Sequence, residues 1–207
     1  YVDGFCEVCG NIDPDYLQPN EEGFYEISTD MQLAWFSQKI AQAEDRSLNV
    51  KLMNDIDMED DANERFVAIG TESSPYTGTF DGNNHTIDWL YVNQPATRGV
   101  GLIGAVAGPA VIETLTLGPN CRLIGMGYVG LIGFSTPAGG TVTFTNLGNN
   151  GYVECTTGAN AGGLVGCCMS SACTFIITNC YSMATIVGTK ENGAFSGWLG
   201  SNAVLTN

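Results

Sequence analysis

Basic side chains are scarce in this chain. Seven lysines and arginines face 22 aspartates and glutamates, and histidine occurs once, for a net charge of −15. So acidic a surface repels phosphate backbones and anionic membranes, which argues against a nucleic-acid partner. Long apolar runs are missing too. No stretch reaches the roughly 18 residues that mark a membrane-spanning helix. A starting methionine is lacking and no signal peptide is visible, so the numbering reads as beginning at a processed end. Charge of either sign nearly vanishes after Arg98. From Gly99 to Asn207 only Glu113, Arg122, Glu154, Lys190 and Glu191 carry it, five positions in 109. An ordinary soluble domain carries about a quarter charged residues. Such a half is either covered or presents an uncharged hydroxyl and amide surface.

What is present is a repeat. Gly101-Leu102-Ile103-Gly104 recurs as Gly130-Leu131-Ile132-Gly133, as Gly163-Leu164-Val165-Gly166 and as Gly197-Trp198-Leu199-Gly200, in steps of 29, 33 and 34 residues. A second landmark follows: Phe144-Thr145-Asn146-Leu147 aligns with Ile177-Thr178-Asn179-Cys180. Ile112-Glu113-Thr114-Leu115 is an imperfect earlier copy, and Leu205-Thr206-Asn207 a truncated later one. A period of this size means stacked supersecondary units. The units hold too much Gly, Thr, Val and Ile for helical repeats. Residues 140–147 and 174–181 read as short strands bounded by turns. One winding per period, with a few short strands each, predicts an all-β parallel β-helix, a solenoid with inward apolar ladders. In the tetrads the central Leu or Ile is expected to point inward. The flanking glycines are expected to supply positive φ and close approach between windings.

Residues 23–98 read differently. Thr29-Asp30-Met31-Gln32 fits a capping box, and Leu33, Phe36 and Ile40 fall on one helical face. The spacing predicts a helix over about 30–44, an α-helical cap over the otherwise exposed edge of the stack. Val50–Met58, Phe66–Gly70 and 76–92 read as strands. The chain therefore divides into a Cys-x-x-Cys segment (1–22), a capping helix with first coils (23–98), and repeats whose last coil is incomplete (99–207).

The residues resemble a known family. The Gly-Leu-x-Gly tetrad, the strand ending Thr178-Asn179-Cys180-Tyr181-Ser182 and Gly188 beyond it look like the GLUG-motif repeat of bacterial cell-surface and secreted proteins. The upstream stretch resembles its usual leader: Tyr25 to Phe36, Asp55-Ile56-Asp57, Ile69-Gly70-Thr71, and Gly78 to Ile87. The resemblance spans most of 23–207. It implies a right-handed β-helix, an extracellular or cell-surface location, and no established chemistry. Trp198 in the last tetrad, Cys167-Cys168 and the early stop depart from the pattern.

Several residue sets invite chemical readings. Cys6 and Cys9 have the spacing of half a zinc site, of a local disulfide, or of two free thiols. Cys121 and Cys155 lie nine and eight residues ahead of their tetrads. They are expected to stack on adjacent windings, within disulfide reach or as two inward thiols. Cys168 and Cys173 could close a small loop, and Cys180 reads as core. Asp55, Asp57, Glu59, Asp60 and Asp61, with Asn63 and Glu64, form the densest acidic cluster, a solvated loop or a calcium site with Asp55, Asp57, Asp60 and Asp61 as its candidate ligands. Trp89 and Tyr91 share a strand face and are candidates for stacking on a glycan, although at least one is expected in the core. No catalytic set emerges and no cofactor is required. Hydrolases need two carboxylates about 5–9.5 Å apart, and the repeat half holds three widely separated acids. The function expected is a non-catalytic extracellular structural or adhesion-type module, presenting loops or an uncharged Thr/Asn face to a host or bacterial surface protein or glycan. The alternatives are a polymer or filament subunit completed by its neighbour through the unfinished C-terminal coil, and a carbohydrate-active lyase or hydrolase.

Overall fold

The computed structural model describes residues 1–43, 45–135, 140–168, 173–200 and 202–206. It is a parallel β-solenoid of about five turns. The chain enters through β1 (Phe24–Ile27), α1 (Asp30–Gln42), β2 (Asn49–Leu52), β3 (Ile56–Asp57) and α2 (Asp60–Arg65). One winding is β4 (Thr79–Asp88), β5 (Tyr91–Val100) and β6 (Ile103–Val106). The next is β7 (Val111–Leu117), β8 (Arg122–Val129) and β9 (Ile132–Ser135). Then come β10 (Gly140–Asn149), β11 (Tyr152–Cys155), β12 (Ala161–Gly162) and β13 (Val165–Cys168). The fourth holds β14 (Cys173–Thr178), β15 (Tyr181–Ser182), β16 (Thr185–Val187), β17 (Asn192–Gly193) and β18 (Ser196–Leu199), and β19 (Ala203–Thr206) opens another. Corresponding strands pair in parallel into three sheets. The first runs β1-β2-β4-β7-β10-β14-β19, the second is centred on β8 and β11, and the third runs β18-β13-β9-β6.

Register turns the sequence repeat into a core. Tyr25, Val50, Phe80, Ile112, Phe144, Ile177 and Leu205 occupy one continuous rung position through seven strands of the first sheet. Phe80, Ile112, Phe144 and Ile177 are all buried, whereas Leu205 is 52% exposed. Val92, Leu123, Val153 and Ile186 form a second ladder in the second sheet. Each fully buried side chain of this kind stabilises the fold by about 1.5–3 kcal/mol. The core is thus a set of columns along the stacking axis, strongest in the middle windings.

The cap forms as its sequence signals require. Thr29 Oγ1 accepts from the Gln32 N–H at 3.3 Å, and Gln32 Oε1 accepts from the Ser28 N–H at 2.7 Å. The reciprocal bond thus reaches one residue further back than in the standard box. Leu33, Phe36 and Ile40 are buried against the end of the stack, and so is Trp35. Trp35 is buried from the other side, by residues 1–22. Its Nε1–H donates to the Asp13 carbonyl at 2.7 Å, and Tyr16 packs edge-on at 5.9 Å.

Three expectations need correction. The stretch 66–70 is not a strand; only Ile69 bridges, in parallel to Ile103 on β6, and Gly70 turns left-handed directly after it with φ of 75°. The run 50–58 splits into β2 and β3. The acidic stretch after it is the short helix α2, with Asp60 and Asp61 in the first turn and Arg65 in the last, each at its favourable end of the helix dipole. The tetrad glycines do not take positive φ. Their role is proximity alone: a Cβ on Gly130 would sit 2.6 Å from the Gly162 carbonyl, and one on Gly104 2.5 Å from that of Gly70.

Positive φ falls instead on the second landmark. Thr114, Asn146 and Asn179 stand in register on successive windings, all left-handed, with φ of 51, 53 and 51°, and Asn83 and Asn84 share that conformation in the β4 bulge that faces Thr114. They bend the first sheet at the same height in every winding. Asparagine tolerates this conformation and β-branched threonine does not. Thr114 compensates in part by donating to Asp81 Oδ1 at 2.7 Å. Thr114→Asn is therefore expected to stabilise the fold by about 1 kcal/mol, or 2–4 °C in thermal midpoint, as read by circular dichroism. An unchanged or lower midpoint would mean that the hydroxyl bond outweighs the backbone strain.

Candidate functional site

A concavity of about 780 Å³ lies where α2 packs beside the corner joining β4 to β5. Three sequence features produce it. Alternation in the second sheet turns Val92 inward and leaves Tyr91 and Asn93 outside. The helix α2 forms one wall. The corner itself is held by Asp88, whose Oδ1 accepts from the N–H groups of Trp89 and Asn120, each at 2.9 Å, while Oδ2 accepts from Asn120 Nδ2 at 2.9 Å.

Asn63 joins the two walls. Its Nδ2 donates to the Met58 and Trp89 carbonyls, both at 3.0 Å, and its Oδ1 accepts from the Tyr91 N–H at 2.9 Å. These bonds hold Trp89 with φ of 59° and its indole 55% exposed, beside Tyr91 at 47%. Leu90 between them is fully buried. The expectation that one of the two aromatics is core is therefore corrected: Leu90 and Val92 fill the core, and both rings face water. Met58 and Phe66 floor the groove, and Asp57, Glu59, Asp60 and Glu64 line it, all four exposed. Asn93, Gln94, Asn120 and Arg122 lie opposite. The Arg122 guanidinium is in register with Tyr91 and Tyr152 and sits 4.4 Å from the Tyr152 ring centre.

The structure thus brings Trp89 and Tyr91 together with Asp57 and Asp60, and leaves the calcium candidates Asp55 and Asp61 outside the groove. Asp55 faces the β4 bulge, where it accepts from the Thr86 N–H at 2.8 Å and meets His85 Nδ1 at 3.1 Å. These two bonds, the Thr86 one first, hold its carboxyl below the usual range. Asp61 does not line the groove and instead borders a second hollow with Glu59 and Asp60. Among the described residues no three His, Cys, Asp or Glu side chains gather in a metal-binding group.

The cysteines are spread likewise. Cys6, Cys9, Cys121, Cys155, Cys167 and Cys180 are free thiols. Cys155 stands in register with Gly125, four residues beyond Cys121, so the expected bridge between Cys121 and Cys155 is ruled out by alignment. Cys121 instead donates to the Ile87 carbonyl at 3.3 Å and Cys155 to that of Met126 at 3.1 Å. Burial pushes Cys121 and Cys167 up to about 12, which keeps both protonated and inert. Cys6 is the opposite case. The backbone N–H groups of Cys9 and Val8 pull its thiol below the usual value. The side chain of Cys173 lies outside the described residues, and with it the proposed loop closure from Cys168.

Asn63, which the sequence places with the acidic cluster, is a positioning residue, a role that sequence reasoning missed along with those of Asp88 and Asn120. A signal for two of them exists. Asp88 and Asn120 are 32 apart, and Asp55 and Thr86 are 31 apart, which is one winding. Extending the 29 to 34 residue period into the first half would have paired them.

No protein-family model matches the chain. A segment is 37% identical over 109 residues to halomucin of Haloquadratum walsbyi (strain DSM 16790 / HBSQ001), covering 51% of this chain and 1% of halomucin. The chain thus spans about one hundredth of that relative. Among solved structures, a candidate immunoglobulin A1 protease from Bacteroides ovatus superposes with a TM-score of 0.55 at 16% identity, over 91% of this chain and 75% of the other. At that identity the likeness is one of fold. No helix among the described residues is long and apolar enough to cross a membrane.

Proposed function

We propose that this chain is a non-catalytic structural and adhesion-type module of a surface protein. It is a rigid stack of GLUG-type windings that holds loops and an uncharged Thr/Asn face toward an extracellular protein or glycan. One observation carries the reading: the rungs run in register from β1 to β19, so that most side chains serve the column. Outward on the later windings are threonines and asparagines beside exposed apolar side chains such as Ile176, Met183 and Val204. Thr145, Thr178 and Thr206 share one outward row, with Thr178 and Thr206 bonded through their hydroxyls at 2.9 Å. The likeness to a segment of a mucin-named protein supports placement at the surface. The solvent exposure of all four groove carboxylates supports the absence of catalysis, since a general acid is ordinarily tuned by apolar burial.

The test is direct. Incubation of the protein with immunoglobulin A1 and with neutral, amino and uronic polysaccharides should yield no peptide fragments and no new reducing ends. Time-dependent cleavage of either substrate, lost on replacing Asp57 and Glu64, would overturn the reading.

A further inference from the structure

We propose that the groove between α2 and the β4–β5 corner binds a non-anionic saccharide, with a pyranose ring laid on Trp89. The proposal extends the display reading above by naming the partner's chemistry and moving its site to the charged half of the molecule. Three independent features point there. First, the volume of about 780 Å³ falls within the range of small-ligand sites. Second, an indole 55% exposed at a left-handed residue is held out of the core by the hydrogen bonds of Asp88 and Asn63. A residue of that conformation costs about 1–2 kcal/mol, so the fold bears strain and unburied apolar area at the same residue. Third, the rim chemistry is selective.

Carboxylates and amides accept and donate to vicinal hydroxyls, while an aromatic face meets the C–H face of a sugar ring. Four carboxylates against one guanidinium repel uronate, sulfate and sialic acid units. The same repulsion acts on nucleic acid, despite its flat bases. A cationic peptide would suit the acids, but it offers no pyranose C–H face to lay on the Trp89 indole. Neutral hydroxyl-rich units and amino sugars remain. The outward row Tyr91, Arg122 and Tyr152 gives a glycan flat surfaces to follow beyond Trp89, one per winding, about 4.8 Å apart.

Isothermal titration of the folded protein with cellohexaose, chitosan hexamer, hexagalacturonate and hexalysine tests this. Cellohexaose and the chitosan hexamer should bind and hexagalacturonate should not. Trp89→Ala should weaken saccharide binding at least tenfold, and Tyr91→Ala serves as a second variant at the same face. Trp198→Ala, at an exposed tryptophan on β18, should bind as the parent does, and circular dichroism should show all three variants folded. The proposal falls if neither saccharide binds, if hexagalacturonate binds equally, if Trp89→Ala and Trp198→Ala behave alike, or if hexalysine is the ligand that Trp89→Ala loses. Its failure leaves the cleavage test of the display reading untouched.

Discussion

Phe144→Ala should cost about 3–5 kcal/mol of stability, the range for removing a large aromatic from a packed core. Phe144 is 1% exposed and lies between Ile112 and Ile177 in the long column. In a chain of this length the loss corresponds to a fall of about 6–20 °C in thermal midpoint. Position along the column decides the magnitude. A solenoid's stability is roughly a sum of nearest-neighbour terms between windings. A hole at Phe144 weakens two interfaces in the middle, where nothing outside can compensate. Leu205 holds the same rung on β19 but is half exposed, so Leu205→Ala should lower the midpoint by a degree or two. Melting both variants beside the parent gives the comparison. Equal effects would mean that the column is not the stabilising unit. A second, lower transition in Phe144→Ala would mean that the windings on either side unfold separately.

The parts of the fold legible in sequence are those in which local chemistry and long-range pairing agree. The tetrads announced the period because glycine is required wherever backbones of adjacent windings nearly touch. Thr29 and Gln32 announced the cap because a helix start must satisfy its own N–H groups. Where pairing overrides local preference, the reading fails. Cys121 and Cys155 stand at similar distances from their tetrads, yet the third winding inserts extra residues between β11 and β12. Register is set by the strands, not by a count back from the glycines. Trp89 shows the same limit at the candidate site. Alternation along 88–92 predicts faces, but Asp88 and Asn63 turn the backbone left-handed at Trp89 and carry the indole out to solvent. Asn149 is a further case. It occupies the rung of Ile87 and Leu117 as a buried polar residue. It is tolerated there because its amide donates to the Gly163 carbonyl at 2.6 Å and accepts from the Gly151 N–H at 2.9 Å. Those partners follow from the corner's shape, which no residue pattern encodes.

Gly130→Ala tests the proximity argument at its strictest. The added methyl would meet the Gly162 carbonyl at 2.6 Å and the Gly166 nitrogen at 2.9 Å, both backbone atoms of the next winding. No side chain can rotate away, so the windings must separate locally. Gly162 precedes β13 and Gly166 lies within it, and its partner strand β9 begins two residues after Gly130. Separation would therefore lengthen the hydrogen bonds that Leu131 and Ile132 donate to Gly163 and Leu164. Overpacking a well-filled interior costs about 1–3 kcal/mol when side chains can yield. A clash with backbone should lie at or above the top of that range. Hydrogen exchange should show the loss concentrated at Leu131 and Ile132 rather than spread over the stack. Gly127→Ala is the matched comparison, because its nearest atom, the Ala159 carbonyl, is 3.1 Å away and the backbone has room to give. If instead these glycines mattered for backbone freedom, the two substitutions would differ little, since neither residue has positive φ. A Gly130→Ala protein as stable as Gly127→Ala would therefore remove the physical reason for the Gly-Leu-x-Gly repeat.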